Sequence, residues 1–162
     1  MRRTLRAGLL ASLLVAACNS SNGKVARSAC DLLTTNEVEL VTAATILKSG
    51  PTQLMVDPTS SSNASDLTAC SFDTNARFGA VLVVLQRPGL RAFDEERLRE
   101  PPLGDASPRT DVAGLGDRAF TWHEGVSVVI GDTYVSISSQ NETAGFSANA
   151  IQLARIALTR AR

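Results

Sequence analysis

The chain has 162 residues, 44% of them hydrophobic and 20% charged, with 16 basic residues balancing 16 acidic ones. That length suits one domain built on a single core. The even charge balance gives no electrostatic reason to expect nucleic acid as a partner.

Met1 to Cys18 reads MRRTLRAGLLASLLVAAC. Arg2, Arg3 and Arg6 precede an apolar run from Leu9 to Ala17 that is too short to remain as a membrane span. Val15-Ala16-Ala17-Cys18 has the layout of a bacterial lipobox, in which small residues admit a peptidase and the cysteine thiol is acylated. The expectation is a lipoprotein signal peptide over 1–17, with acyl chains such as palmitate on Cys18. The protein is then exported and held on the cell membrane or outer membrane, facing the periplasm or the exterior. Asn19, where an aspartate would mark inner-membrane retention, favours the outer membrane in a host that has one. Loss of residues 1–17 removes three arginines and no acids, leaving 13 basic and 16 acidic residues. Lys24 is too isolated to make a polybasic membrane patch, so attachment falls to the lipid. Residues 18–28 are small and polar and read as a flexible tether. A single domain is expected over 29–162. Three sequons, at Asn19, Asn63 and Asn141, are chance matches in a bacterial lipoprotein.

With Cys18 acylated, Cys30 and Cys70 remain. In an oxidising compartment such a pair predicts a disulfide. Their separation does not suit a Cys-x-x-Cys redox centre.

Thr34-Thr35-Asn36-Glu37 has capping-box spacing. Val38, Val41, Ala44 and Ile46 or Leu47 then predict an amphipathic helix ended by Gly50-Pro51. Asp57 to Asp66 reads as a loop. Leu67 to Asp73 is a predicted strand with Cys70 and Phe72 on one face. Phe78 to Gln86, with its apolar run from Ala80 to Leu85, predicts a central strand buried on both faces. Leu90 to Glu100 predicts a short charged helix, with Leu90, Phe93 and Leu98 turned inward and Pro101-Pro102 as its stop. Gly104 to Arg109 is loop. Asp117 to Glu124, Val126 to Ile130 and Thr133 to Ser139 predict a meander, with turns at Gly125 and Gly131-Asp132. Phe120 and Trp122 share one strand face. From Ala144 to Arg162 a helix is predicted with Phe146, Ala150, Leu153, Ala154, Ala157 and Leu158 as its inward stripe. The expected fold is α+β, in the order α-β-β-α-β-β-β-α. An antiparallel sheet of about five strands carries N- and C-terminal helices packed on it.

Cys30-Asp31-Leu32-Leu33-Thr34-Thr35-Asn36-Glu37-Val38 and Gly114-Leu115-Gly116-Asp117-Arg118-Ala119-Phe120 form a pair of local patterns. With the lipobox, the second cysteine and the C-terminal helix, they resemble small envelope lipoproteins and extracellular sensor-like domains best represented in actinobacteria. Members often carry Cys-x-Trp at the second cysteine; here Cys70-Ser71-Phe72 supplies another aromatic. The resemblance implies a disulfide-bonded envelope domain and transfers no catalytic residue.

Few residues point to chemistry. Gly114-x-Gly116-x-x-Ala119 matches part of a dinucleotide fingerprint, but a strand rather than a helix is predicted to follow, which makes it a tight turn. His123 is the only histidine, and alternation turns it away from Trp122 and Glu124. No Gly-x-Ser-x-Gly elbow offers it a serine to activate. Asp94, Glu95, Glu96 and Glu100, interleaved with Arg91, Arg97 and Arg99, read as a solvated helix face. No catalytic residue, metal ligand or cofactor is assigned. The expected function is a non-enzymatic, lipid-anchored envelope protein that binds or scaffolds an envelope partner. The alternatives are a carrier or sensor of a small apolar ligand, with Trp122 near the mouth of its cleft, and an envelope glycan hydrolase working through paired carboxylates.

Overall fold

The computed structural model describes residues 26–54, 66–99, 108–141 and 145–162. The signal peptide, Cys18, most of the tether, the 57–65 loop and Pro101-Pro102 lie outside the described residues.

A single 3-10 turn, Ala29–Asp31, opens the folded part and leads to α1 (Thr35–Thr42). The capping box forms as its spacing predicts: Thr34 Oγ1 accepts from Glu37 N, and the Glu37 carboxylate accepts from Thr34 N at 2.8 Å. The helix is shorter than expected. Ala43 adopts a left-handed conformation at φ 53° and ends it. Ile46 and Leu47 therefore leave the helix and begin an unpredicted strand, β1 (Ile46–Pro51). Pro51 is tolerated there because β1 is an edge strand.

The strands β2 (Asp66–Thr74) and β3 (Ala80–Arg87) follow, then α2 (Leu90–Leu98) and β4 (Thr110–Asp111). The chain continues with β5 (Arg118–Trp122), β6 (Gly125–Ile130), β7 (Thr133–Ser139) and α3 (Phe146–Ala161). The fold is α+β. Its sheet has seven strands, all paired antiparallel, in the order β1-β2-β3-β7-β6-β5-β4. The expected count of about five and the order α-β-β-α-β-β-β-α are corrected by β1 and β4. The second of these is only two residues long, pairing Thr110 with Thr121 and Asp111 with Phe120. Two residues are too few to carry a strand period in sequence.

The main core lies between one face of the sheet and α3. Val81, Val83, Val126, Val128, Val135 and Ile137 point from the strands, and the whole predicted α3 stripe is buried against them. Alanines at 150, 154 and 157 let the helix lie close to the sheet. Side chains on α1 and the first turn, notably Leu32 and Val38, seal the same side.

Packing reaches back to Ala26, whose N donates to Arg160 O at 2.8 Å. Arg87 closes this corner. Its guanidinium donates to Ala26 O at 3.0 Å, Ala161 O at 3.1 Å and Thr133 Oγ1 at 3.0 Å.

The second face of the sheet is covered by α2, through Phe93, Phe120, Val129 and Tyr134. β6 is consequently buried from Gly125 to Val129, and β7 is buried at every residue but Ser138. β3, expected to be buried on both faces, instead alternates: Val81, Val83 and Leu85 are buried, Leu82 and Val84 half-buried. Its apolar run reflects strand propensity at the half-covered positions rather than a second full layer.

Candidate functional site

The disulfide expected from sequence is present. Cys30 and Cys70 lie at bonding distance, 2.12 Å between sulfurs, and join the opening 3-10 turn to β2. His123 lies with Glu124 in the two-residue turn that links Trp122 to its register partner Gly125. Gly114 and Gly116 both take positive φ, and β5 follows them, so the glycine pair is a turn into a strand. Asp117 fastens that turn: its N donates to Val129 O at 2.8 Å, and its carboxylate accepts from Gly131 N at 2.6 Å.

The chemistry of the molecule concentrates under and around α2. Strand alternation brings Arg118, Phe120 and Trp122 of β5, Ser127 and Val129 of β6, and Tyr134 and Ser136 of β7 to the same face. Onto it α2 places Phe93, fully buried, with its ring centroid 5.1 Å from Phe120 in an edge arrangement. Trp122 continues the row at 5.9 Å from Phe120. Three guanidinium groups cover these rings. Arg118 stands 4.7 Å over Phe93, while Arg97 and Arg109 stand 5.6 Å and 5.9 Å from the Phe120 centroid.

The acids of α2 answer these arginines. Asp94 pairs with Arg118 at 2.9 Å, and Arg97 pairs closely with Asp111 of β4. Glu96 is approached by Arg99 at 3.4 Å and Arg109 at 3.8 Å. Only the Arg91–Glu95 pair, at 2.7 Å, is the i,i+4 contact the solvated-face reading predicts. Arg99–Glu96 is a local i,i+3 pair, while the Arg97, Arg109 and Arg118 pairs reach β4, the residue before it and β5, so part of the charged face is a tertiary contact surface. Burial pushes the Glu96 carboxyl above its ordinary value, against the opposing pull of Arg99 and Arg109. The Tyr134 hydroxyl sits 3.0 Å from Ser127 Oγ. Its burial, and then the Glu96 charge, push it up to about 12, while Ser127 and Ser136 pull the other way.

Arg109 has the one unmet donor here. Among the described residues, its Nε is buried without a hydrogen-bond partner. A guanidinium edge of this kind suits an acceptor such as a carboxylate, phosphate or carbonyl. The sequence offered no sign of Arg109, which falls in a predicted loop. Tyr134 and Ser136 were legible as the alternate face of their strand, but nothing marked that face as covered.

On the outer side of α2, Leu90 is 49% exposed and Leu98 82%. This corrects their expected inward placement: only Phe93 of the three points into the protein. With Pro88 and Arg91 they line a shallow groove of about 520 Å³. Among the described residues, no group of three or more His, Cys, Asp and Glu side chains comes together as a metal site, and no helix is long and apolar enough to cross a membrane. No protein-family model, curated protein or solved structure matches the chain.

Proposed function

We propose that this chain is a non-enzymatic binding domain of the cell envelope, anchored through lipid on Cys18 and engaging an envelope partner with the α2 side of its sheet. The observation that carries the reading is the outer surface of α2. There Leu90 and Leu98 stay exposed along an apolar groove while Phe93 and the arginine contacts hold the helix in place beneath. Exposed leucines on a helix fixed from below form a docking ridge of the helix-in-groove type. The Cys30–Cys70 pair supports an oxidising location, as export requires. The acids of α2 are each engaged by an arginine rather than set facing one another, which gives the glycan-hydrolase alternative no support. The small-ligand alternative draws support from Arg109 Nε beside the Phe120–Trp122 pair, although that donor suits a ligand with a polar end.

Two measurements test the proposal. Metabolic labelling with an alkyne fatty acid is expected to mark the wild type and not Cys18→Ala, which should leave the membrane fraction while staying folded. Labelling of that variant, or its retention on membranes, would overturn the anchor. A photo-crosslinking residue at Leu98 should give a discrete adduct in intact cells, and one at exposed Asn36 should not. Equal adducts at both would remove the α2 surface as the docking face.

A further inference from the structure

We infer that α2 is an electrostatic latch: hinged at Gly89, it lifts off the sheet as a unit and is held closed by ion pairs that salt weakens. This goes beyond the docking reading and does not depend on the lipid anchor. Of the nine residues of α2, five are charged and Phe93 alone is buried. Leu90 and Leu98, at its two ends, stay exposed. By contrast, α3 buries seven of its sixteen residues. A nine-residue helix is too short to persist by itself, so contact with the sheet is what maintains α2.

Interactions at the start of the helix add little. Gly89 is its N-cap and supplies no side-chain hydrogen bond. The first turn carries no acid, and Arg91 stands there instead, where the helix dipole disfavours a cation. Gly89 itself is fixed, since its N donates to Asp132 O at 2.9 Å. Motion of α2 therefore pivots about that residue.

Beyond Phe93 the helix is held by charge. Asp94 meets Arg118 of β5 at 2.9 Å, and Arg97 meets Asp111 of β4. Each of these four side chains is at least 36% exposed, so salt screens both pairs. The third pair, Glu96 with Arg109, is more buried but 3.8 Å apart. Among the described residues Arg109 Nε has no hydrogen-bond partner, which leaves that contact incompletely satisfied. Arg118 over Phe93 at 4.7 Å, and Arg97 over Phe120 at 5.6 Å, add cation–π attraction across the same boundary. One buried ring and a set of charge contacts thus make the closed state. Lifting α2 withdraws Phe93 from Phe120, Val129 and Tyr134 and opens that face of the sheet to solvent. The ridge of Leu90 and Leu98 exists only while the latch is closed.

Amide hydrogen exchange of the full chain at about 0.01 M and about 1 M salt tests the latch, because the screening length falls from about 30 Å to about 3 Å between them. Amides of α2 are expected to exchange several-fold faster at the higher salt, and those of α3 at an unchanged rate. Nitration of Tyr134, the single tyrosine, by tetranitromethane should accelerate along with α2 exchange. Asp94→Asn combined with Asp111→Asn should bring the low-salt exchange of α2 near its high-salt value. Rates in α2 that ignore salt, or that rise in step with those of α3, would overturn the inference. So would a double variant whose α2 amides exchange as slowly as those of the wild type at low salt. Constant nitration of Tyr134 while α2 amides respond would show a helix fraying in place, and would overturn the lifting motion.

Discussion

Glu37 serves two structures at once. Its carboxylate closes the capping box on Thr34 and receives a two-pronged contact from Arg160, at 2.8 Å and 2.7 Å, that ties α1 to the last turn of α3. Arg160, and secondarily Thr34, hold its carboxyl well below the ordinary value of 4.5, at about 2. A folded-state pKa depressed in this way stabilises the fold while the group is ionised in both states. That contribution is complete above about pH 4.5 and is lost as pH falls toward 2. Arg160→Met is expected to cost roughly 1 kcal/mol at neutral pH, a low value because both side chains are partly exposed. It should also flatten the acid limb of the stability profile. Urea melts across that pH range check this; an unchanged acid limb would show that Arg160 does not set the Glu37 carboxyl. Residues 34–37 announced the capping box, since its partners are three apart in sequence. Arg160 lies more than a hundred residues away, and nothing local could have paired them.

At the scale of the element, the β3-to-α2 junction brings two backbones unusually close. Gly89 is the N-cap of α2, and a Cβ there would lie 2.1 Å from Tyr134 N and 2.8 Å from the Thr133 carbonyl carbon. Its φ of −106° is open to any residue, so the requirement is the close approach of two backbones and not conformational freedom. Gly89→Ala should cost about 3 kcal/mol or more, since the obstacle is backbone that cannot step aside. Gly50→Ala, with nothing within 4 Å of the added carbon, should be close to neutral. Thermal melts of the two variants give the comparison, and a similar loss in both would contradict it. The sequence marks Pro88-Gly89 as a break between elements. It does not say that the glycine is there for β7.

For the whole molecule, the disulfide is the long-range constraint on the unfolded chain. Cys30 and Cys70 are 40 residues apart, and the loop they close includes α1 and β1. The chain-entropy relation puts the cost of losing such a link at about 4 kcal/mol. The double variant Cys30→Ala/Cys70→Ala should lower stability by an amount of that order, and thiol counting on denatured, unreduced wild type should find none. A free thiol at either position, or a double variant as stable as the parent, would deny the link its role. The rest of the assembly comes from the two-sided cover of β6 and β7, with α3 on one face and α2 on the other.

Sequence by itself determined the features that depend on neighbours along the chain. The capping box, the α3 stripe, the three-strand meander over residues 118–139, the turns at Gly114, Gly116 and Gly131 and the cysteine pair follow from spacing of a few residues or from residue type, whereas the turn expected at Gly125 falls on His123-Glu124 and Gly125 begins β6. Tertiary structure decided what depends on a partner far away. The helix at 35–42 stops early because the following residues gain more by pairing with β2 than by extending one helical turn. β4 exists only as a partner for β5. The charged face of α2 is half interior because arginines from beyond it return to meet its acids. The physical reason is common to all three. Periodicity and capping are local energies, whereas strand pairing and ion pairing are contacts whose cost and gain appear only when the chain has folded back on itself.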